Sequence, residues 1–419
     1  MKRIITLLFI AGALLVNTYA QKYVGGDISM LPKYEEHGAM YKDHDGNNIE
    51  DMLEFLRLQG WNSMRVRLFV DPANATDTEK GEGVCQDLDY VKALGKRIKE
   101  KGMAFVLDFH YSDTWADPAK QWTPASWVSL SDNDLYTKIY EYTKSVLQEL
   151  KAAGATPDFI QTGNEISYGM LWGESGSSSL KKCYTSNSAN WSRFTTLLKK
   201  AGEACREECP DAKIIIHTER AAQTSVLKAF YDNMASYGVE YDIIGLSYYP
   251  YYHGDLNTLE TAINTLETNF QGKDIMIVET GYSSHWSMGG TFDYSGTYPY
   301  SEEGQKNFTE DLIDMLNNHG SVKGLYWWWP EANEYGLDWS TNRVTDNWYN
   351  ASLFDNETGK ATLALSSLRT FLGDLDGIAN TTVSKEESND DRWLTIDGRQ
   401  VSYPSAKGLY IHKGKVTVF

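Results

Sequence analysis

Basic residues are few for a chain of this length: 39 Lys and Arg stand against 57 Asp and Glu, a formal charge of −18 over 419 residues. That excludes a nucleic-acid binder, which needs a basic surface to displace counterions. It also disfavours a polyanionic substrate such as polygalacturonate. A neutral partner remains, with solubility as the plain alternative account of the charge. Cysteine is scarce too. Cys85, Cys183, Cys205 and Cys209 have no His at metal-ligand spacing, which argues against zinc; four thiols allow three complete disulfide pairings, or none. Long apolar runs are missing. The N-terminal run Ile4–Val16 falls short of the ~20 residues a spanning helix needs, and no other segment is a candidate, so no stable membrane span is expected. No G-x-G-x-x-G follows the first strand-like segment, where Gly25-Gly26-Asp27 stands instead. A doubly wound dinucleotide fold would lack its phosphate turn.

What is present starts at the N-terminus. Met1-Lys2-Arg3, the apolar run and the small residues Thr18 and Ala20 predict a signal peptide over residues 1–20, hence export to periplasm, cell surface or medium. No Cys follows the expected cut, so a lipoprotein anchor is not supported. Aromatics make up 13% of the chain, with 13 Trp and 27 Tyr. They suit a large core and equally a groove in which flat rings stack on the C–H faces of sugars. A neutral polysaccharide is therefore the expected partner, bound by a monomer.

Eight β-rich apolar segments recur, each bounded by turn residues: Tyr23–Ile28, Ser63–Val70, Met103–His110, Phe159–Glu165, Lys213–Glu219, Ile243–Tyr249, Ile275–Gly281 and Val322–Trp329. Near-continuous apolar runs are what parallel strands covered by helices look like. Helical segments lie between them: Glu50–Gln59, Leu88–Lys101, the stretch from Ser131 to Gly154 opened by a capping-box-like Ser131-Asp132-Asn133-Asp134, Trp191–Glu208, Leu256–Phe270 and Glu302–His319. The alternation predicts an α/β fold, a (β/α)8 TIM barrel over residues 21–372, with its chemistry at the strand C-terminal ends. Residues 373–391 are polar and read as a linker. Residues 392–419 alternate like short strands, with turns at Asp397-Gly398, Lys407-Gly408 and Lys413-Gly414, and read as a short C-terminal β-rich tail.

Two acids end apolar strands, where an unpartnered carboxylate costs desolvation. Glu165 closes the fourth segment in Gln161-Thr162-Gly163-Asn164-Glu165, and Glu279 closes the seventh in Ile277-Val278-Glu279-Thr280-Gly281-Tyr282. Such a pair is what glycoside cleavage needs. Carboxyl oxygens about 5 Å apart on the barrel axis would give a retaining double displacement, with Glu165 kept protonated as acid by the charge on Glu279. Structural ion pairs are the alternative. Asn164 could bond a sugar 2-hydroxyl. Arg65 and Arg67 alternate onto one face of the second strand, where a guanidinium could hold Glu279 ionised. His110 and His217 fall at strand ends and are expected to touch sugar hydroxyls. Tyr248 and Tyr249 end the sixth strand. Of Trp327-Trp328-Trp329, at most one or two can face the axis. Trp115, Trp122, Trp172 and Trp286 lie in loops on the same face.

The run Asp108-Phe109-His110-Tyr111-Ser112-Asp113-Thr114-Trp115-Ala116-Asp117-Pro118-Ala119-Lys120-Gln121 closely resembles the signature of the arabinogalactan endo-β-1,4-galactanases, glycoside hydrolase family 53 of the retaining clan A. Gly25-Gly26-Asp27-Ile28-Ser29, Arg65-Val66-Arg67-Leu68, Gly163-Asn164-Glu165 and Val278-Glu279-Thr280 resemble it too, so the likeness covers Tyr23 to Leu372. It implies endo-cleavage of β-1,4-galactosidic bonds in pectic galactan, with Glu165 as acid/base and Glu279 as nucleophile; the strand ends and the loops beside them offer Arg65, Arg67, His110, Asp113, Trp115, Asn164, His217, Tyr248, Trp286 and Trp329 as candidate substrate-binding residues. No cofactor is required. A structural calcium ion, known in some bacterial members, would fall among Asp293, Asn333, Asp338, Asp346 and Asn347. The alternatives are another clan A endo-glycanase, such as a mannanase or endoglucanase, a non-catalytic surface glycan-binding protein, or a phosphate-handling barrel enzyme.

Overall fold

The computed structural model describes residues 21–338, 340–345 and 349–373, and the backbone of four short strands beyond them. The expected signal peptide, the expected linker beyond Gly373, the three tail turns, Asp346 and Asn347 lie outside the described residues. Eight parallel strands close a barrel in sequence order: β1 (Tyr23–Asp27), β2 (Ser63–Leu68), β3 (Ala104–Phe109), β4 (Phe159–Thr162), β5 (Lys213–Thr218), β6 (Ile243–Tyr248), β7 (Asp274–Thr280) and β8 (Val322–Trp328). Each expected strand is present, the seventh shifted back by one residue and the others shortened at one or both ends. The polar residues after Phe109, Thr162 and Thr218 have left the ladder and turned into the loops of the C-terminal rim.

The helices are α1 (Leu31–His37), α2 (Met52–Leu58), α3 (Asp77–Gly81), α4 (Leu88–Glu100), α5 (Asp132–Ala153), α6 (Trp191–Glu208), α7 (Thr224–Ser236), α8 (Pro250–His253), α9 (Leu256–Asn269), α10 (Glu302–Asn317) and α11 (Leu363–Leu368). All six expected helices are among them. The full-length helix absent from the sequence reading, α7, is entered from Gln223 without a side-chain cap. Its start therefore carries no Ser, Asp or Asn signal. The expected capping box at α5 is only half formed. Ser131 accepts from the Asp134 N–H, but its hydroxyl is given to the Asp134 carboxylate at 2.7 Å. Asp is one methylene shorter than the Glu or Gln of a reciprocal box, and a complete one closes between Thr76 and Glu79 at α3.

Inside the barrel, Val106, Phe159, Ile215, Ile243, Met276, Val278 and Tyr326 form one buried apolar cluster drawn from six different strands, so it plugs the centre. Gly25 makes room beside β2: a Cβ there would stand 1.8 Å from the Ser63 carbonyl oxygen. One departure from regular pairing matters for the site. Leu246 pairs with Ile277, but the next residue, Ser247, pairs with Glu279. The extra residue, Val278, is a bulge that reverses side-chain parity. Since Met276 and Val278 are interior, plain alternation would send Glu279 outward; the bulge turns it in.

The chain divides into two compact units, one ending at Leu372 and the other beginning at Gly373. The second holds an antiparallel sheet of order β10-β9-β11-β12, from β9 (Trp393–Thr395), β10 (Gln400–Val401), β11 (Leu409–His412) and β12 (Lys415–Val418).

Candidate active site

Above the apolar plug the same strands turn polar. Arg65 is wholly buried. Its Nη1 donates to Asp27 Oδ2 at 2.8 Å, and its Nη2 reaches Asp108 Oδ2 at 2.8 Å, Asn164 Oδ1 at 2.9 Å and Glu279 Oε1 at 3.0 Å. Arg67 Nη1 donates to Asp27 Oδ1 at 2.9 Å. Its guanidinium lies 4.7 Å from the centre of the Trp115 ring and 5.1 Å from that of Trp329. Both arginines face inward, as the alternation predicts, but only Arg65 meets Glu279. Arg67 is fully buried and holds Asp27 and the indoles.

The two glutamates sit in contrasting surroundings. Glu279 is buried, and Tyr249 donates its hydroxyl to Oε2 at 3.2 Å. Burial raises its carboxyl above the ordinary range, and the Arg65 guanidinium offsets only part of that rise. Glu165 follows β4 with a left-handed backbone, φ 47, after Gly163 at φ 103. A side chain at positive φ is strained by roughly 1–2 kcal/mol. Here the backbone is held by the Gln121 amide, which donates to the Asn164 carbonyl at 2.7 Å. The Glu165 carboxyl accepts from Ser247 Oγ at 2.7 Å. Burial, then the charges on Glu279 and Glu219, push it well above the usual carboxyl range. A cation stands beside one acid and further carboxylates beside the other. Of two coupled carboxyls, Glu165 is therefore the one that keeps the proton.

His217 lies behind Glu165. Burial and the Arg65 charge push it far below its ordinary range, so it is neutral. His110 Nε2 is 3.1 Å from Asp108, and its Nδ1 accepts from the Ala116 N–H at 3.0 Å. Burial would raise the Asp108 carboxyl, but Arg65 and His110 hold it below the usual range.

Glu165, Glu279, Asn164, Trp115, Trp328, Trp329, Tyr249, Tyr252 and His253 share a cleft of about 430 Å³ with Asp117, Lys120 and Glu219, within the size range of small-ligand sites. Trp327 is buried and gives its indole N–H to the Ala351 carbonyl at 2.7 Å. Other expected residues are placed elsewhere. Tyr248, one residue before Tyr249 and so on the opposite face, donates to the Gly254 carbonyl at 2.9 Å. Asp113 is a loop clamp, accepting from the Asp71 N–H, Asn74 Nδ2 and the Ala125 N–H at 3.1, 3.0 and 2.9 Å. Trp286 stands in the loop after β7 with 55% of its surface exposed. Tyr252, Glu219, His253 and Ser247 were not singled out in the sequence. Ser247 carried a signal, since it precedes the Tyr248-Tyr249 pair by alternation on β6; Tyr252 and His253 belong to a four-residue helix with none.

Of the residues expected around calcium, the described ones, Asp293, Asn333 and Asp338, each have partners within the protein. Asp293 accepts from Tyr300 and the Ser295 N–H, Asn333 bonds Met40 and Tyr335, and Asp338 closes a turn on Ser340. Among the described residues, no group of three or more His, Cys, Asp or Glu is placed to hold a metal ion. The loops after β7 and β8 are joined by hydrogen bonds: Asn350 Nδ2 donates to the Trp286 carbonyl at 2.6 Å, and the Ser284 N–H to the Asn350 carbonyl at 2.8 Å.

An eight-stranded parallel barrel with a proton-holding and a cation-bound carboxyl at the ends of β4 and β7 has the make-up of a barrel glycoside hydrolase. The chain belongs to glycosyl hydrolase family 53, whose sequence model matches residues 23–371. A Niallia circulans protein named "Uncharacterized protein in bgaB 5'region" is 36% identical over 376 residues, 87% of this chain and 97% of that one. The probable arabinogalactan endo-β-1,4-galactanase A of Neosartorya fischeri is 31% identical over 344 residues, covering 77% of this chain and 90% of that one. Among solved structures, the family 53 catalytic domain of Ignisphaera aggregans superimposes with a TM-score of 0.72 at 32% identity, over 84% of this chain and 96% of that domain.

Proposed function

We propose that this glycoside hydrolase cleaves internal β-1,4-galactosidic bonds of galactan and type I arabinogalactan with retention, Glu165 serving as acid/base and Glu279 as nucleophile. The observation that carries the roles is the 3.0 Å contact of Glu279 with Arg65, against the hydroxyl-only contact of Glu165. In the first step Glu279 bonds the anomeric carbon as the glycosidic C–O bond breaks, and the Glu165 proton goes to the leaving oxygen. In the second, Glu165 takes a proton from water, which displaces Glu279. The galactan assignment draws on the relatives' names and on the Asp108–Gln121 motif. Residues 1–20 direct export, 21–372 act as the enzyme, 373–391 link and 392–419 form an accessory tail on a monomer. This two-carboxyl reaction needs no cofactor.

The test is release of reducing ends from linear galactan, mannan and a soluble cellulose derivative. Galactan alone should be cut, into oligosaccharides from the outset, and Glu165→Gln should lose this activity. Preference for mannan or cellulose would move the enzyme to another clan member. Galactan binding without cleavage by the wild type would support a binding protein.

A further inference from the structure

Among the described residues, the Glu165 carboxyl takes its hydrogen bond from Ser247, through Oε1 at 2.7 Å. Ser247 is fully buried and stands where the β6–β7 register shifts. Behind it, His217 Nε2 lies 2.8 Å from the Ser247 oxygen. The Glu165 N–H donates to His217 Nδ1 at 3.3 Å, and the Gln161 side-chain nitrogen is 3.1 Å from the same atom. Asn164 Oδ1, 3.0 Å from that nitrogen, receives its own proton from Arg65 at 2.9 Å. Nδ1 is thus the acceptor and Nε2 carries the ring proton. A hydroxyl that accepts from Nε2–H has one proton left to give, and Glu165 Oε1 is where it points.

We infer that His217 and Ser247 form a positioning relay that fixes which oxygen of Glu165 carries the catalytic proton, reserving Oε1 as acceptor and Oε2 for the glycosidic oxygen. The inference rests on the reading of Glu165 as acid/base. Oε2 gives its proton to the leaving oxygen as Glu279 bonds the sugar, and regains one from water in the second step. Throughout, Ser247 keeps donating to Oε1, and its bond strengthens when Glu165 is a carboxylate. His217 can play this part because it stays neutral: a charged ring would donate from both nitrogens and expel the Glu165 N–H. The titratable groups facing Glu165 are Glu279 from β7, Tyr249 after β6, Glu219 after β5 and Asp117 in the β3 loop; those facing His217 are Arg65, Asp108 and His110. None of them takes the place of Ser247 as donor to Oε1: three are acids, and Tyr249 gives its hydroxyl to Glu279.

The experiment compares Ser247→Ala and Ser247→Thr with wild type on linear galactan and on a dinitrophenyl β-galactobioside, whose leaving group needs no proton. Ser247→Ala should lose about 10–100-fold in kcat/KM on galactan and less than about threefold on the aryl substrate. Its alkaline limb should move to higher pH, because the carboxylate has lost a donor that favoured its charged form. Ser247→Thr should restore both. Should the alanine variant not fold, Ser247→Cys keeps the volume, weakens the donor and reads the same contrast. Equal losses on both substrates, or an unmoved alkaline limb, would overturn the relay and leave Ser247 a packing residue. A wild type inactive on galactan would instead remove the substrate assignment. The leaving-group contrast would then be read on the activated aryl glycoside of the β-glycan it does cleave.

Discussion

Val106 and Asp108, Phe159 and Gln161, Ile215 and His217, and Tyr326 and Trp328 are pairs two residues apart on the same strands, facing the same barrel interior. The lower member of each pair belongs to an apolar plug, and the upper one to a layer of buried polar groups and indole. Only volume ties the plug's members to one another. The upper members depend on one another as charges and donors: Asp27, Asp108 and Glu279 all converge on Arg65. A buried carboxylate is tolerable there because a cation has been buried with it. Stability and chemistry are thus separated along the barrel axis by about 7 Å, the rise of two strand residues.

The largest break in that comparison should come from Glu279→Ala. It removes a side chain from the upper layer at the bulge and relieves the crowding of acids around Arg65, so folding should survive. Activity on galactan should fall on the order of 10⁴–10⁶-fold. Added azide, entering the vacated face, should restore turnover and yield a glycosyl azide of inverted configuration. No azide product would count against Glu279 as nucleophile.

Next comes a matched pair, one substitution in each layer. Arg65→Met leaves three buried carboxyls without their shared cation and should cost about 3–5 kcal/mol, with activity lost as well. Ile215→Ala removes a fully buried side chain from the plug and should cost about 2–5 kcal/mol, yet leave kcat per folded molecule unchanged. Denaturant unfolding measures the first quantity and assays well below the melting temperature the second. If Ile215→Ala lowered kcat as Arg65→Met does, the two layers would not be separable.

The same division explains what could be read from the chain. The plug and the helices announce themselves by apolar period, so all eight strands and six of the helices were legible. The acids Glu165 and Glu279 were legible as polar ends of apolar strands, and Arg65 as their partner by alternation. The sequence points to Tyr248 as a site residue, whereas Tyr249 is the one that meets Glu279. The inward turn of Glu279 itself needs the register shift at Val278, which is a property of two paired strands and of neither alone. Asp113 resisted in another way: a motif residue holding loop N–H groups looks in sequence like one holding a sugar.

Glu331 offers the smallest and sharpest variation on the comparison. It is fully buried, accepting the Met30 N–H at 2.8 Å, and among the described residues it forms no ion pair within 4 Å. Burial, then the Asp27 charge, push its carboxyl up from 4.5 to about 8. Unfolded, the group ionises near the lower value; folded, near the higher. Between them the folded chain holds a proton that the unfolded chain has released, so this group's contribution to stability declines as pH rises from about 4.5 to about 8. Glu331→Gln keeps an oxygen for the Met30 N–H and cannot ionise. It should match wild type near pH 5 and exceed it by roughly 1–3 kcal/mol at pH 9, as read from chemical unfolding at the two pH values. Parallel pH–stability curves would mean that Glu331 shares the arginines' charge after all, and that the upper layer tolerates a third kind of acid, one held ionised without a cation in contact.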